Sequence, residues 1–150
     1  MPSGLPTDPA RSALMRRIRR KGTAPELLVA GALRSLGLFY RKNVSGLPGT
    51  PDFVNRRQGW TIFVQGCYWH HHRCKRGTVP TRNQGFWIKK FASNRRRDAR
   101  NVRELRRKGL RVLLVWECEA FAGEPMLEKL RKLKTGGTLE TRERDDKTCE

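Results

Sequence analysis

Residues 67–74 read Cys-Tyr-Trp-His-His-His-Arg-Cys and hold all three histidines and two of the four cysteines of the chain. Thiolates and imidazoles are the ligands of structural zinc, which takes four of them in a tetrahedron. Cys67, Cys74 and Cys118 with one histidine make a Cys3His set. His72 is the best-placed fourth ligand, two residues from Cys74, and in an extended segment His71 points the other way. The bland alternative is that the cysteines are small buried hydrophobes. Three ligand types within one short loop favour the metal. Cys149 sits in the polar tail, outside this set.

A second set is Asp52, Glu26 and His70. Phosphodiester hydrolysis uses a carboxylate to hold Mg2+, and a histidine can move a proton at neutral pH. Each residue also has an ordinary explanation. Asp52 follows a proline in turn-forming sequence, and Glu26 lies three residues after Thr23, the spacing of a helix capping box. Asp98 lies beside Arg95 and Arg97, where it reads as local charge compensation. A third set is aromatic. Tyr68 and Trp69 lie in the loop and Trp87 opens a helix, so all three can stack on bases or wedge between them. A core role is equally open for Trp87.

These side chains need elements to carry them. Trp60–Gln65 is apolar and β-branched, as a strand is, and Gly66 breaks it. Leu38–Val44 reads as a strand, 45–51 as turn chemistry, and Asp52–Val54 as the start of another strand that forms a hairpin with 60–65. Asp52 then lies near Val64 and Gln65. Residues 86–108 form a long helix with Phe86, Trp87, Phe91, Val102 and Leu105 as its apolar positions and arginines on its other faces. Asn94 and Asp98, four apart, share a face. Leu110–Trp116 is a continuous apolar strand, the kind buried on both faces of a sheet. Strand, helix and strand make a βαβ unit with parallel strands and a right-handed crossover. Their C-terminal ends share one edge, which brings Cys118 to Cys67.

Earlier in the chain, 24–36 is a helix with Pro25 in its first turn and Gly37 at its end. Residues 11–21 form a basic helix in which Leu14, Met15 and Ile18 are apolar. A solvated or packed helix is the leading reading there, and a groove wedge by Met15 and Ile18 the alternative. Residues 125–134 form a short helix. Residues 1–10 and 135–150 are expected to be disordered, which leaves one domain over 11–134.

The 150 residues carry 33 Lys and Arg against 14 Asp and Glu, a net charge of +19. The excess sits in the body, because the tail from 135 has more acids than bases. Such a body attracts a polyanion, and nucleic acid is the first candidate. The bases are spread over several segments, unlike a membrane-binding amphipathic helix. No apolar run is long enough to span a bilayer and no signal peptide is evident. Four cysteines then read as reduced thiols in a cytoplasmic setting.

Taken together, RSALMRRI at 11–18, LPGTPDFV at 47–54, IFVQGCYWHHHRC at 62–74, FW at 86–87 and VLLVWEC at 112–118 resemble the very short patch repair (Vsr) mismatch endonucleases. The resemblance implies an α/β, restriction-endonuclease-like mixed sheet flanked by helices, with a structural zinc site. It implies a Mg2+-dependent monomer that nicks duplex DNA 5′ to the T of a T·G mismatch, with mismatch-repair proteins as candidate partners. Carried onto matching positions, Asp52 and the Val64 carbonyl hold Mg2+, His70 is the base or proton shuttle, and Glu26 supports. Cys67, His72, Cys74 and Cys118 hold Zn2+. Tyr68, Trp69 and Trp87 wedge from the major groove, Met15 and Ile18 enter the minor groove, and Asn94 and Asp98 lie near the site. The chain departs from the family at Val64-Gln65, where better-known members have Thr-His. Gln65 cannot titrate, although its amide can hydrogen-bond a metal-bound water. Two other readings remain: a related endonuclease with a matched, restriction-type target, and a zinc-stapled DNA-binding module with little activity.

Overall fold

The structure, a computed structural model, describes residues 9–10, 22–69 and 72–136. Its centre is a four-stranded sheet of β1 (Arg41–Lys42), β2 (Phe53–Asn55), β3 (Trp60–Gln65) and β4 (Arg111–Trp116), in that spatial order. The hairpin forms as its sequence predicts, with β2 antiparallel to β3 and Phe53 opposite Ile62. The two apolar strands pair in parallel, Trp60 with Arg111 through to Gln65 with Trp116, so their C-terminal ends lie side by side. The fold is thus a mixed α/β sheet flanked by helices.

Alternation along β3 and β4 divides the core in two. Trp60, Ile62 and Val64 of β3, with Leu113 and Val115 of β4, pack on one face. That face is covered by α1 (Ala24–Ser35), α3 (Glu117–Ala122) and α4 (Glu124–Thr135), which bring in Val29, Leu33, Ala120, Met126 and Leu130. On the other face, Val54, Phe63, Val112 and Leu114 meet Val102 and Leu105 of the 24-residue α2 (Gln84–Arg107). Trp60, Phe53 and Ile62 are essentially inaccessible. Burying such side chains stabilises a fold by about 1.5–3 kcal/mol each.

Three local features differ from expectation. The strand expected over 38–44 shrinks to two residues, because Leu38 turns into the core and Asn43 adopts a left-handed φ of 50°. The capping box at 23–26 is not formed. The Thr23 hydroxyl makes no cap bond, and Glu26 Oε2 instead accepts from the N–H of Gly22 at 2.9 Å. Gly22, at φ 65°, turns the chain so that its own amide reaches Glu26. The third is α3, an unexpected helix directly after β4. Glu119 in its first turn accepts from Trp116 N at 2.9 Å and pairs with Lys129 Nζ of α4 at 2.7 Å. Lys129 also donates to the Leu114 carbonyl at 3.1 Å, so one buried ion pair ties β4, α3 and α4 together. Among the described residues no helix is long and apolar enough to cross a membrane.

Candidate active site and metal centre

Asp52 stands immediately before β2 and continues its pairing with β3. Its N–H donates to the Ile62 carbonyl at 3.0 Å, and its carbonyl accepts from Asn43 N at 3.1 Å. Where the next ladder bond would fall, the side chain takes over: Asp52 Oδ2 accepts from Val64 N at 2.7 Å. A charge-assisted bond of this length fixes the carboxylate at the C-terminal end of β3.

That carboxylate lies on the wall of a cleft of about 390 Å3, between the sheet and α2. Val64, Gln65, Arg97, Asp98 and Asn101 share the wall. Gln65 is 7 % exposed, and among the described residues its amide has no hydrogen-bond partner. Asp98 Oδ1 lies 3.5 Å from Arg97 Nη2, so Asp98 both pairs with its neighbour and faces the cleft. Gly49 closes one side at φ 75°. A Cβ there would stand 2.7 Å from Asn101 Nδ2, so only glycine lets this loop meet α2 so closely. Glu26 is not on the wall; its carboxylate is engaged by Gly22. His70 lies outside the described residues, as do Met15 and Ile18. The wall offers carboxylate, amide and carbonyl oxygens, the hard donors that suit Mg2+.

Beyond Gly66, Cys67, His72, Cys74 and Cys118 bring one ligand atom each within 4.8 Å of one another. Cys118 Sγ is 3.6 Å from His72 Nδ1, and Cys118 N donates to Cys67 Sγ at 3.4 Å. Ligands of a tetrahedral zinc stand about 3.5–3.8 Å apart, so a slight contraction fits the set to one ion. Burial pushes the Cys67 thiol up to about 11, so its thiolate needs a cation nearby. The loop is tied from several sides. His72 N donates to the Cys67 carbonyl at 2.9 Å, and the His72 ring stacks on Trp116 at 4.2 Å. Glu117 of α3 accepts from Cys67 N at 3.3 Å. The parallel pairing brings Cys118 here, and α3 sets its orientation.

The aromatics of the 67–74 loop and of α2 form one cluster. Tyr68 meets Trp69 edge-on at 5.2 Å, Trp87 at 5.8 Å and the buried Phe91 at 5.6 Å. Lys90 Nζ lies 5.5 Å from the Trp87 ring centroid and 5.7 Å from that of Trp69. Asn94 Nδ2 donates to the Trp69 carbonyl at 3.1 Å, so Asn94 holds the loop that carries the aromatics. Phe91, Lys90, Arg97, Asn101 and Glu117 were not singled out from sequence as site residues. For the inner row of α2 a signal exists, since Trp87, Phe91, Asn94, Asp98 and Asn101 recur at three- and four-residue intervals on one helix face.

A family model described as DNA mismatch endonuclease Vsr matches residues 5–76. Over 127 residues the chain is 40% identical to the DNA mismatch endonuclease Vsr of Escherichia coli K12, covering 81% of each chain. It is 39% identical over 127 residues to the Type II nicking enzyme V.NmeAIP of Neisseria meningitidis, covering 85% of this chain and 91% of the relative. It is 41% identical over 109 residues to the Type II nicking enzyme V.XorIIP of Xanthomonas oryzae pv. oryzae, covering 73% of this chain and 80% of the relative.

Proposed function

The chain belongs to the DNA mismatch endonuclease Vsr family and is a DNA nicking endonuclease; on that premise we propose that it cuts one strand of duplex DNA 5′ to the T of a T·G mismatch, as the first step of very short patch repair. The observation that carries the reading is the Asp52 carboxylate, held 2.7 Å from Val64 N in a cleft with Gln65 and Asp98. The oxygen-rich wall fits Mg2+, with Asp52 and the Val64 carbonyl as its protein ligands. Bound there, the ion would supply Lewis acidity toward the scissile phosphate.

The chain's own groups do the rest. His70, five residues beyond Gln65, takes the proton of the attacking water. The Gln65 amide donates to that water and orients it. Glu26 supports from outside the cleft wall. Tyr68, Trp69 and Trp87 wedge into the base stack from the major groove, and Met15 and Ile18 enter from the minor groove. Asn94 positions the wedge through the Trp69 carbonyl. Cys67, His72, Cys74 and Cys118 hold Zn2+, whose four positions are then all filled by protein, which makes the ion structural. The chain acts as a cytoplasmic monomer on chromosomal DNA and hands the nick to repair proteins.

One observation favours a second reading. A non-titrating Gln65 in the cleft suits a zinc-stapled DNA-binding module with little activity. End-labelled duplexes separate the readings, one with a central T·G mismatch in several flanking contexts and one fully paired. Nicking of the mismatched T strand alone supports the repair function. Cutting of the paired duplex means a restriction-type target, and tight binding without cutting means the module.

A further inference from the structure

The inner face of α2 is committed: Phe91, Val102 and Leu105 are buried, and Asp98 and Asn101 line the cleft. At about 100° per residue, the positions half a turn from that face are Lys89, Arg96, Arg100, Arg103 and Arg107. All five are exposed, and among the described residues none of their side chains has a hydrogen bond or ion pair. They form one ribbon about 27 Å long, from 18 helical steps of about 1.5 Å each between Lys89 and Arg107. Arg96 and Arg100, Arg100 and Arg103, and Arg103 and Arg107 are like-charged neighbours that work against the helix. Of the acids of α2, Asp98 lies on the inner face, while Glu104 borders the ribbon, four residues after Arg100 and three before Arg107, and among the described residues its carboxylate pairs with neither.

We propose that this outer ribbon of α2 is a second DNA-docking surface, which holds a duplex segment other than the one in the cleft. The proposal rests on the reading of the chain as a DNA nuclease. Duplex DNA presents one negative charge per about 1.7 Å, a continuous partner for a row of cations on a rigid helix. An acidic protein fits less well, because from Arg96 to Arg107 the ribbon holds no aromatic or aliphatic anchor of the kind that dominates protein interfaces, the exposed Phe86 and Ile88 lying at the N-terminal end of α2. A membrane fits less well too, because a helix on a lipid surface buries its apolar face there, and that of α2 is already in the core. The cleft and the aromatic cluster lie on the opposite side of the same helix. A protein with both surfaces bridges two duplexes, or keeps hold of one segment while it samples another.

Two-duplex capture tests this. A mismatched duplex of about 20 base pairs is fixed to beads with the full-length zinc-loaded protein bound, in chelator-free buffer without Mg2+. A fluorescent, fully paired duplex is then added over a range of salt. The test variant is R100Q/R103Q/R107Q, which keeps the side-chain stems and the helix propensity. The control variant, K42Q/R56Q/R57Q, removes the same charge from β1 and the hairpin turn. The test variant should capture about tenfold less second duplex, with a log–log salt slope shallower by about 3. The control variant should capture like wild type, and single-turnover nicking of the short duplex at low salt should stay within about twofold. Unchanged capture by the test variant overturns the proposal. Equal loss in the control overturns it, because net charge alone then suffices. A tenfold loss of short-duplex binding overturns it as well, because the ribbon then clasps the substrate itself. Capture needs no cutting, so a protein that bridges but never nicks would refute the nuclease reading and leave the ribbon standing.

Discussion

Gln65→Leu should make the protein more stable and less active. Gln65 is 7 % exposed, and its amide has no hydrogen-bond partner among the described residues. A buried polar group left without a partner costs about 1–3 kcal/mol. Leucine removes that cost and adds apolar contact with Phe63 and Val102, which share the cleft wall. Its branched shape costs up to about 1 kcal/mol in repacking. The net gain is about 1–2 kcal/mol, which for a domain of this size raises Tm by about 3–6 °C. The assay is thermal unfolding of the zinc-loaded protein in Mg2+-free buffer, with zinc content checked because Cys67 lies two residues away. Nicking with Mg2+ should fall at least about tenfold, since leucine cannot orient a water. A lower Tm for Gln65→Leu would refute the claim that the amide waits for a ligand, and unchanged nicking would refute its part in the reaction. In the companion variant Gln65→His, nicking should rise; equal rates would remove any basis for calling Gln65 a handicap.

Cys118→Ser removes one corner of the metal tetrahedron, and metal binding is coupled to folding in such sites. Bound zinc, measured by elemental analysis, should fall below half an equivalent, and Tm should drop by about 10 °C or more. Lys129→Met strands the Glu119 carboxylate, which is 2 % exposed. Urea unfolding should show a loss of about 3–5 kcal/mol, partly restored by adding Glu119→Gln. Gly49→Ala forces a Cβ to within 2.7 Å of Asn101 Nδ2 at a φ of 75°. It should cost about 1–3 kcal/mol and slow nicking by shifting α2 against the cleft, read from unfolding and single-turnover rates together. A stability equal to wild type would mean that the loop and helix do not need their close approach.

The parallel pairing of β3 and β4 was legible because both strands are strongly apolar and a single helix joins them. Once 60–65 and 110–116 are strands joined by a long helix, their ends must share an edge, and Cys118 must approach Cys67. The place of Asp52 was legible for a similar reason, because a short hairpin leaves it beside Phe63, with its carboxylate in reach of Val64 N. The helix α3 was not legible. It is six residues long and held by the Glu119–Lys129 pair across ten positions, a tertiary contact that periodicity does not register. The strand expected over 38–44 read as a longer element because nothing local announces the left-handed Asn43. Asp98 read as charge compensation beside Arg95 and Arg97, and it does pair with Arg97; the cleft that it also faces appears only when α2 is laid on the sheet. The burial of Gln65 was hidden in the same way, since it comes from α2 lying over the end of β3, which the local sequence does not register.

The central claim is that the Asp52 cleft cuts a mismatched strand, and Asp52→Asn tests it most directly. The substitution keeps an oxygen that can accept from Val64 N, so the fold should survive with a stability change under about 1 kcal/mol. It removes the charge that holds the cation, worth several kcal/mol in the transition state. Single-turnover nicking of an end-labelled T·G duplex with Mg2+ should show wild type cutting only the T strand, on the 5′ side of the mismatched T. Asp52→Asn should be slower by about 10³-fold, and chelator should abolish both activities. Equal rates for the two proteins, or no strand cut by a folded, zinc-loaded wild type in any flanking context, would contradict the account.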